Sequence, residues 1–405
     1  MNSLVEANTK FCFDLFQEIR KNHEDKNIFF CPLSVSAALS MVRLGARRDS
    51  AQQIDQVLHF YEVSPKESEN PDPCLRCKPG GEGSLDDQSG VLSCYFGQLL
   101  SKLDRGRADY TLSIANRLYG EQEFPIQQEY LDSVIQFYHT TFESVDFRKD
   151  TEESRREINF WVESQSQGKI KELFNKDAIT DATVLVLVNA VYFKAKWEKY
   201  FDSENTVDAP FYISENDSKT VKMMNQMGLF NIGHIEEIQA QILEIRYTKG
   251  KLSMFILLPA TSEDNRKGLE ELERSITHEK LLTWSSSENL SEERVAISLP
   301  QFTLEDYYDL NSILQDMGVM DIFDKTKADL TGISPNPNFY LSKIIHKTIV
   351  EVDENGSEAA AASGVVGVEK CSVSGLEFNV NHPFLFFIRH NDTQTILFYG
   401  RVLSP

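Results

Sequence analysis

The chain has 405 residues, 41% hydrophobic and 25% charged, enough to bury a large core. Its 41 basic residues face 62 acidic ones, a formal net charge of -21, which argues against nucleic acid as a general partner and against attraction to anionic membranes. No apolar run is long enough to span a bilayer, and residues 1–8 lack the basic and apolar blocks of a cleavable export signal.

Residues 3–20 set Val5, Phe11, Cys12, Leu15, Phe16 and Ile19 at helical spacing, which predicts an amphipathic first helix. Asn27-Ile28-Phe29-Phe30 reads as a short buried strand. Pro32-Leu33-Ser34 then opens a second helix running through Met41 and Val42 towards Gly45. Proline suits that first turn, because its missing N–H would have no partner there. Residues 62–90 combine Pro65, Pro71, Pro73, Pro79, Gly80, Gly81 and Gly83 with charge and no periodicity, the composition of a mobile surface loop. A helix follows with Leu92, Tyr95, Phe96, Leu99 and Leu100 on one face. Residues 153–166 predict another, burying Ile158, Trp161 and Val162.

Residues 184–193 are nearly all apolar and rich in valine, the pattern of a strand covered on both faces at the centre of a sheet. Shorter strands are expected at 242–245, 252–258, 295–299, 348–352, 383–388 and 395–399. Helices crowd the first half and strands the second, which favours an α+β fold over a doubly wound one. No linker divides the chain, so one domain over residues 1–405 is expected.

Six cysteines (Cys12, Cys31, Cys74, Cys77, Cys94, Cys371) are few and widely spaced, as in a cytosolic protein with reduced thiols. Asn216, Asn289, Asn355 and Asn391 begin Asn-x-Ser/Thr triplets, which carry little meaning without an export signal. Nucleophile-elbow, zinc-protease and phosphate-loop patterns are absent, so no enzyme activity is expected. Cys74-Leu75-Arg76-Cys77 is a CxxC to which Cys94 and His59 could add. With no second pair it reads as incidental, and neither metal nor cofactor is expected.

The most informative stretch is Glu354-Asn355-Gly356-Ser357-Glu358-Ala359-Ala360-Ala361-Ala362-Ser363-Gly364. Its composition alone permits a flexible linker or a helix. It also permits a strand slim enough to enter a closed sheet. In that case Ser357, Ala359, Ala361 and Ser363 occupy the alternate positions that face the core, with Glu358 outward.

This run resembles the hinge of a serpin reactive-centre loop, and the likeness extends from about residue 3 to the end. Asn27-Ile28-Phe29-Phe30-Cys31-Pro32-Leu33-Ser34 resembles a serpin strand-to-helix entry. Asn189-Ala190-Val191-Tyr192-Phe193-Lys194-Ala195-Lys196-Trp197 resembles the third strand of the family's main sheet. Asp329-Leu330-Thr331-Gly332-Ile333, Leu341-Ser342-Lys343-Ile344-Ile345-His346-Lys347, Asn381-His382-Pro383-Phe384-Leu385-Phe386 and the terminal Gly400-Arg401-Val402-Leu403-Ser404-Pro405 follow in family order. The final Ser-Pro and the missing export signal resemble the ovalbumin-type intracellular branch, clade B.

The resemblance implies a serpin fold: three β-sheets, about nine helices and an exposed reactive-centre loop spanning 354–378. It implies a cytoplasmic monomer that traps serine proteases as an acyl-enzyme by inserting its cleaved loop into the main sheet. The hinge would comprise Glu354, Gly356, Ser357, Glu358, Ala359, Ala360, Ala361, Ala362 and Ser363. Counting along the family's loop, seventeen residues from Glu354 bring the specificity residue to Lys370 and the bait bond to Lys370-Cys371, which points to trypsin-like proteases. A shift of one residue would present Glu369 or Cys371 instead. The family's shutter maps to Cys31, Ser34, Asn189 and His346. Three positions depart from the pattern: Cys31 where serine is usual, Gln301 where a basic residue often meets Glu354, and Ala195 for glycine. The thiol, a weaker donor, suggests a looser gate. The alternative is a non-inhibitory serpin, a carrier, chaperone or storage protein cleaved as a plain substrate.

Overall fold

The structure, a computed structural model, describes residues 2–63, 87–104, 110–261, 265–356 and 375–405. Helix α1 (Asn2–Lys21) buries Phe11, Leu15, Phe16 and Ile19 and ends on Arg20 and Lys21, cations at the negative end of its dipole. Strand β1 (Ile28–Phe30) leads into α2 (Pro32–Gly45), every residue of which is buried, as suits a helix threaded through the core. Helix α3 (Arg48–Val57) follows. Helix α4 (Asp87–Asp104) carries Leu92, Tyr95, Phe96 and Leu99 inward, and it begins inside the stretch read from sequence as loop. Residues 64–86 of that stretch lie outside the described residues.

Strand β2 (Tyr110–Glu121), helix α5 (Gln128–Tyr138), strand β3 (Phe142–Val145) and helix α6 (Thr151–Gln165) lead to β4 (Leu185–Ala195). All of β4 but Lys194 is buried. Next come β5 (Val207–Ser214), β6 (Asp217–Ile235), β7 (Ala240–Arg246) and β8 (Leu252–Pro259), then helices α7 (Asn265–Ser275) and α8 (His278–Trp284). The chain continues with β9 (Ser291–Pro300), β10 (Phe302–Asp309), α9 (Leu310–Met317), β11 (Lys343–Val352), β12 (Leu376–Asn379), β13 (Phe384–His390) and β14 (Thr395–Val402). The strand expected at 348–352 begins at Lys343 instead. Lys343, His346 and Lys347 interrupt its apolar pattern, yet it pairs on both sides.

The strands form two hydrogen-bonded units among the described residues. One has five strands in the order β10-β11-β4-β2-β3, with β4 at its centre as its apolar sequence requires. The other has nine, in the order β1-β14-β13-β8-β7-β6-β9-β12, with β5 on β6. The second and third expected sheets join because the 19-residue β6 serves both: Met223 to Ile232 pair with β9, and Asn231 to Ile235 with β7. Nine α-helices surround them among the described residues, within the expected α+β class.

The period of two along β4 divides the core. Leu185, Leu187, Val191 and Phe193 join the larger cluster with α2, β13 and β14. Val186, Val188 and Ala190 face the other way, into a cluster with Ile158 and Val162 of α6. The five-stranded sheet is thus covered on both faces.

Phe193 is fully buried, its ring 5.2 Å from that of Phe398 and 5.5 Å from that of Tyr247. Phe193→Ala is expected to lower unfolding stability by about 3–5 kcal/mol in urea titrations. A loss under about 1 kcal/mol would place the ring outside the core.

Candidate functional site

Two features of the five-stranded sheet combine polar chemistry with positions where polar groups are costly. The first is a row crossing its middle. Asn116 on β2 stands opposite Asn189 on β4, Asn189 opposite His346 on β11, and His346 opposite Tyr308 on β10. Asn189 and His346 are fully buried, and Asn116 and Tyr308 nearly so. The Asn189 amide donates to the Asn116 side-chain carbonyl and to the Ser34 hydroxyl of α2, and its oxygen meets Nδ1 of His346. On the far side of the imidazole the backbone N–H of Cys31 donates to Nε2 at 3.0 Å.

That last bond fixes the tautomer. Nε2 accepts, so it carries no proton; Nδ1 carries it and donates to Asn189. Burial pushes the imidazole down to about 3, so it is neutral over the ordinary pH range. A second proton on Nε2 would face the Cys31 N–H with nothing to accept it. The Asn189–His346 bond crosses the seam between β4 and β11, two strands that run parallel from Lys343↔Val186 to Val350↔Phe193.

The four residues expected at the shutter, Cys31, Ser34, Asn189 and His346, are therefore within one hydrogen-bonded set. Cys31 takes part through its main chain rather than its thiol, which burial pushes up to about 12 against the pull of the Ser34 and Leu33 amides. The bond that Cys31 gives the row is one that any residue but proline supplies. Asn116 was not anticipated. Its strand carries Asn116, Arg117 and Gly120 and shows no clean alternation, so only the pairing register reveals it.

The second feature is a turn at the end of β11. Gly356 forms antiparallel bridges with Lys196, just past β4, and with Asp353. The Trp197 N–H donates to the Asn355 carbonyl at 3.0 Å and the Phe201 N–H to the Glu354 carbonyl at 2.8 Å. The Trp197 indole N–H donates to the Asp353 carbonyl at 2.9 Å, and its ring stacks on Tyr247 at 4.4 Å. Burial raises the Asp353 carboxyl above its usual range. Gly356 has φ +102, and a side chain there would strike the Ala195 carbonyl and the Trp197 amide. Only glycine fits both constraints. The Glu354 carboxylate accepts from the Thr206 hydroxyl at 2.7 Å, a contact with no cation in it. Gln301 instead donates its backbone N–H to the Lys222 carbonyl.

Ser357, Glu358, Ala359, Ala360, Ala361, Ala362 and Ser363 of the expected hinge, and Lys370 and Cys371 of the expected bait bond, lie outside the described residues, as do Cys74 and Cys77. Cys94 is buried and His59 bonds to Asp14 at 2.6 Å, and the described residues contain no group of three that could hold a metal ion.

A family model described as Serpin (serine protease inhibitor) matches residues 6–405. The chain is 75% identical to Serpin B12 of Homo sapiens over 405 residues and 65% identical to Serpin B12 of Mus musculus over 424, covering 100% of each chain in both cases. Its fold is similar to that of uncleaved ovalbumin, with a TM-score of 0.86, 36% identity and 100% of both chains covered.

The neutral imidazole gives the row a pH signature. In the unfolded chain His346 takes up a proton near 6.5, but in the folded one not until about 3. Between these values the unfolded state holds more protons, so stability falls as pH falls, by about 1.4 kcal/mol per pH unit from this group. His346→Gln is expected to remove that share of the slope between about pH 6 and 4 in urea unfolding, leaving the contributions of His382 and His390 in place. Identical slopes in the two proteins would refute the assignment.

Proposed function

The chain belongs to the serpin family, and from that premise we propose that it inhibits trypsin-like serine proteases by presenting Lys370-Cys371 as bait and inserting the cleaved loop between β4 and β11. One observation carries this reading: the two central strands run parallel and paired, with the turn after β11 already bridged to the end of β4.

Two parallel neighbours can accept one strand that runs opposite to both. The new strand replaces a parallel ladder with two antiparallel ones, the slightly more stable pairing per residue. Continuing the Lys196–Gly356 bridge along β4 would set Ser357 against Ala195, Ala359 against Phe193, Ala361 against Val191 and Ser363 against Asn189. These β4 positions face the larger core cluster and α2, where only small side chains enter. Glu358 would fall opposite Lys194, the one incompletely buried residue of β4. The register reached from the bridge thus agrees with the alternation of small residues in the sequence.

Opening the seam requires parting the Asn189–His346 bond. Ladder bonds contribute on the order of 1 kcal/mol each, so a full inserted strand supplies about 10 kcal/mol. Carried along by the loop, the acylated protease is distorted, and a displacement of about 1 Å at its catalytic centre slows deacylation roughly a hundredfold. The chain itself would turn over nothing. We place it in the cytoplasm as a monomer; the buried thiols of Cys12 and Cys31 suit a reducing compartment.

Incubation with trypsin followed by a denaturing gel is expected to give a covalent band at the summed mass, and Ser357→Arg to convert it to cleavage after Lys370. Cleavage of the unaltered chain without that band would support the non-inhibitory alternative. Nicked protein is also expected to melt well above intact protein in a thermal scan, since insertion adds a central strand. Equal melting temperatures would exclude insertion.

A further inference from the structure

Asn355-Gly356 is the one Asn-Gly pair in the 405-residue chain. It sits in the turn that fastens the end of β11 to the end of β4. The Asn355 carbonyl accepts from the Trp197 N–H at 3.0 Å, and the Gly356 N–H of the same peptide unit donates to the Asp353 carbonyl at 3.1 Å. The Asn355 N–H donates to the Asp353 carboxyl at 2.8 Å, while its half-buried carboxamide has no hydrogen-bond partner among the described residues.

These contacts prepare an internal reaction. An untethered carboxamide can turn its Cγ onto the nitrogen of the next residue, and glycine offers that nitrogen with no Cβ to shield it. The Trp197 N–H draws electron density from the Asn355 carbonyl, which makes the Gly356 N–H of the same peptide unit more acidic. A local opening that parts the 3.1 Å bond to Asp353 then exposes the nucleophile.

We propose that Asn355 is a site of spontaneous deamidation and that the change unfastens the turn from β4. The Gly356 nitrogen bonds to Asn355 Cγ, the Cγ–Nδ2 bond breaks, and the proton from the Gly356 nitrogen leaves with ammonia. Water opens the resulting five-membered imide, giving its hydroxyl to a carbonyl carbon and its proton to the nitrogen. Breaking the new N–Cγ bond leaves aspartate. Breaking the bond to the main-chain carbonyl leaves isoaspartate, whose backbone runs through Cβ and Cγ and is one carbon longer. The turn has no room for that carbon, since even a Cβ at Gly356 would strike the Ala195 carbonyl and the Trp197 amide. Aspartate instead adds charge beside Asp353, whose carboxyl is raised by burial and, further, by Glu354 and Glu351. Either product loosens the Trp197 bond, while Glu354, one residue earlier, keeps its contacts with Phe201 and Thr206.

The test ages the full chain at body temperature in mildly alkaline buffer and reads its peptides by mass spectrometry and isoaspartyl methyltransferase labelling. Asn355 is expected to convert ahead of every other asparagine. In the converted chain the Trp197 amide is expected to exchange hydrogen about tenfold faster or more, with that of Phe201 within about twofold of its starting rate. Asn355→Gln, whose imide would need a six-membered ring, is expected to show neither change on ageing. Repair of the isoaspartate by the methyltransferase is expected to restore part of the protection at Trp197. An Asn355 that outlasts the other asparagines, an unchanged Trp197 amide in the converted chain, or the same acceleration in aged Asn355→Gln would overturn the proposal.

Discussion

A parallel pair of strands at the centre of an otherwise largely antiparallel sheet is the constraint around which this molecule is arranged. β4 and β11 hold each other in parallel, while their outer partners β2 and β10 run antiparallel to them. The seam is crossed by the buried side-chain bond between Asn189 and His346, and Asn116 on β2 extends that row to a third strand. Polar groups buried this deeply are tolerated only when their bonds are met, and here the tautomer of one imidazole decides whether they are. A purely apolar seam would hold the strands without a specific point of release.

Much of this arrangement was legible in the sequence. The apolar run at 184–193, interrupted only by Asn189, marked the central strand, since burial on both faces is what permits such a pattern. Prolines and glycines marked the entry and exit of α2. What escaped was chiefly what depends on pairing. Asn116 gains its meaning from Asn189 opposite it, and the two are far apart in sequence. The first half of β11 escaped because its lysines and His346 break the apolar pattern; tertiary pairing overrides that signal.

The departures from the family pattern also look different once the backbone is placed. At Cys31 the sulfur could be judged only as a side chain, whereas the contact is made by the amide. At Ala195 the extra methyl lies on a buried strand whose carbonyl, not its side chain, abuts Gly356. At Gln301 the absent cation is replaced by Thr206 from a separate segment, a partner no motif would nominate.

That last substitution has a bearing on how ionic surroundings reach the molecule. An attraction between opposite charges at a surface fades within a Debye length of about 8 Å at physiological ionic strength. A hydroxyl on a carboxylate is a contact of short range, held by geometry at 2.7 Å. The anchorage of the turn is therefore nearly indifferent to electrolyte. Dissolved ions act instead on the approach of a charged partner towards a strongly acidic surface, so the speed of encounter and the hold on the turn are governed by separate variables.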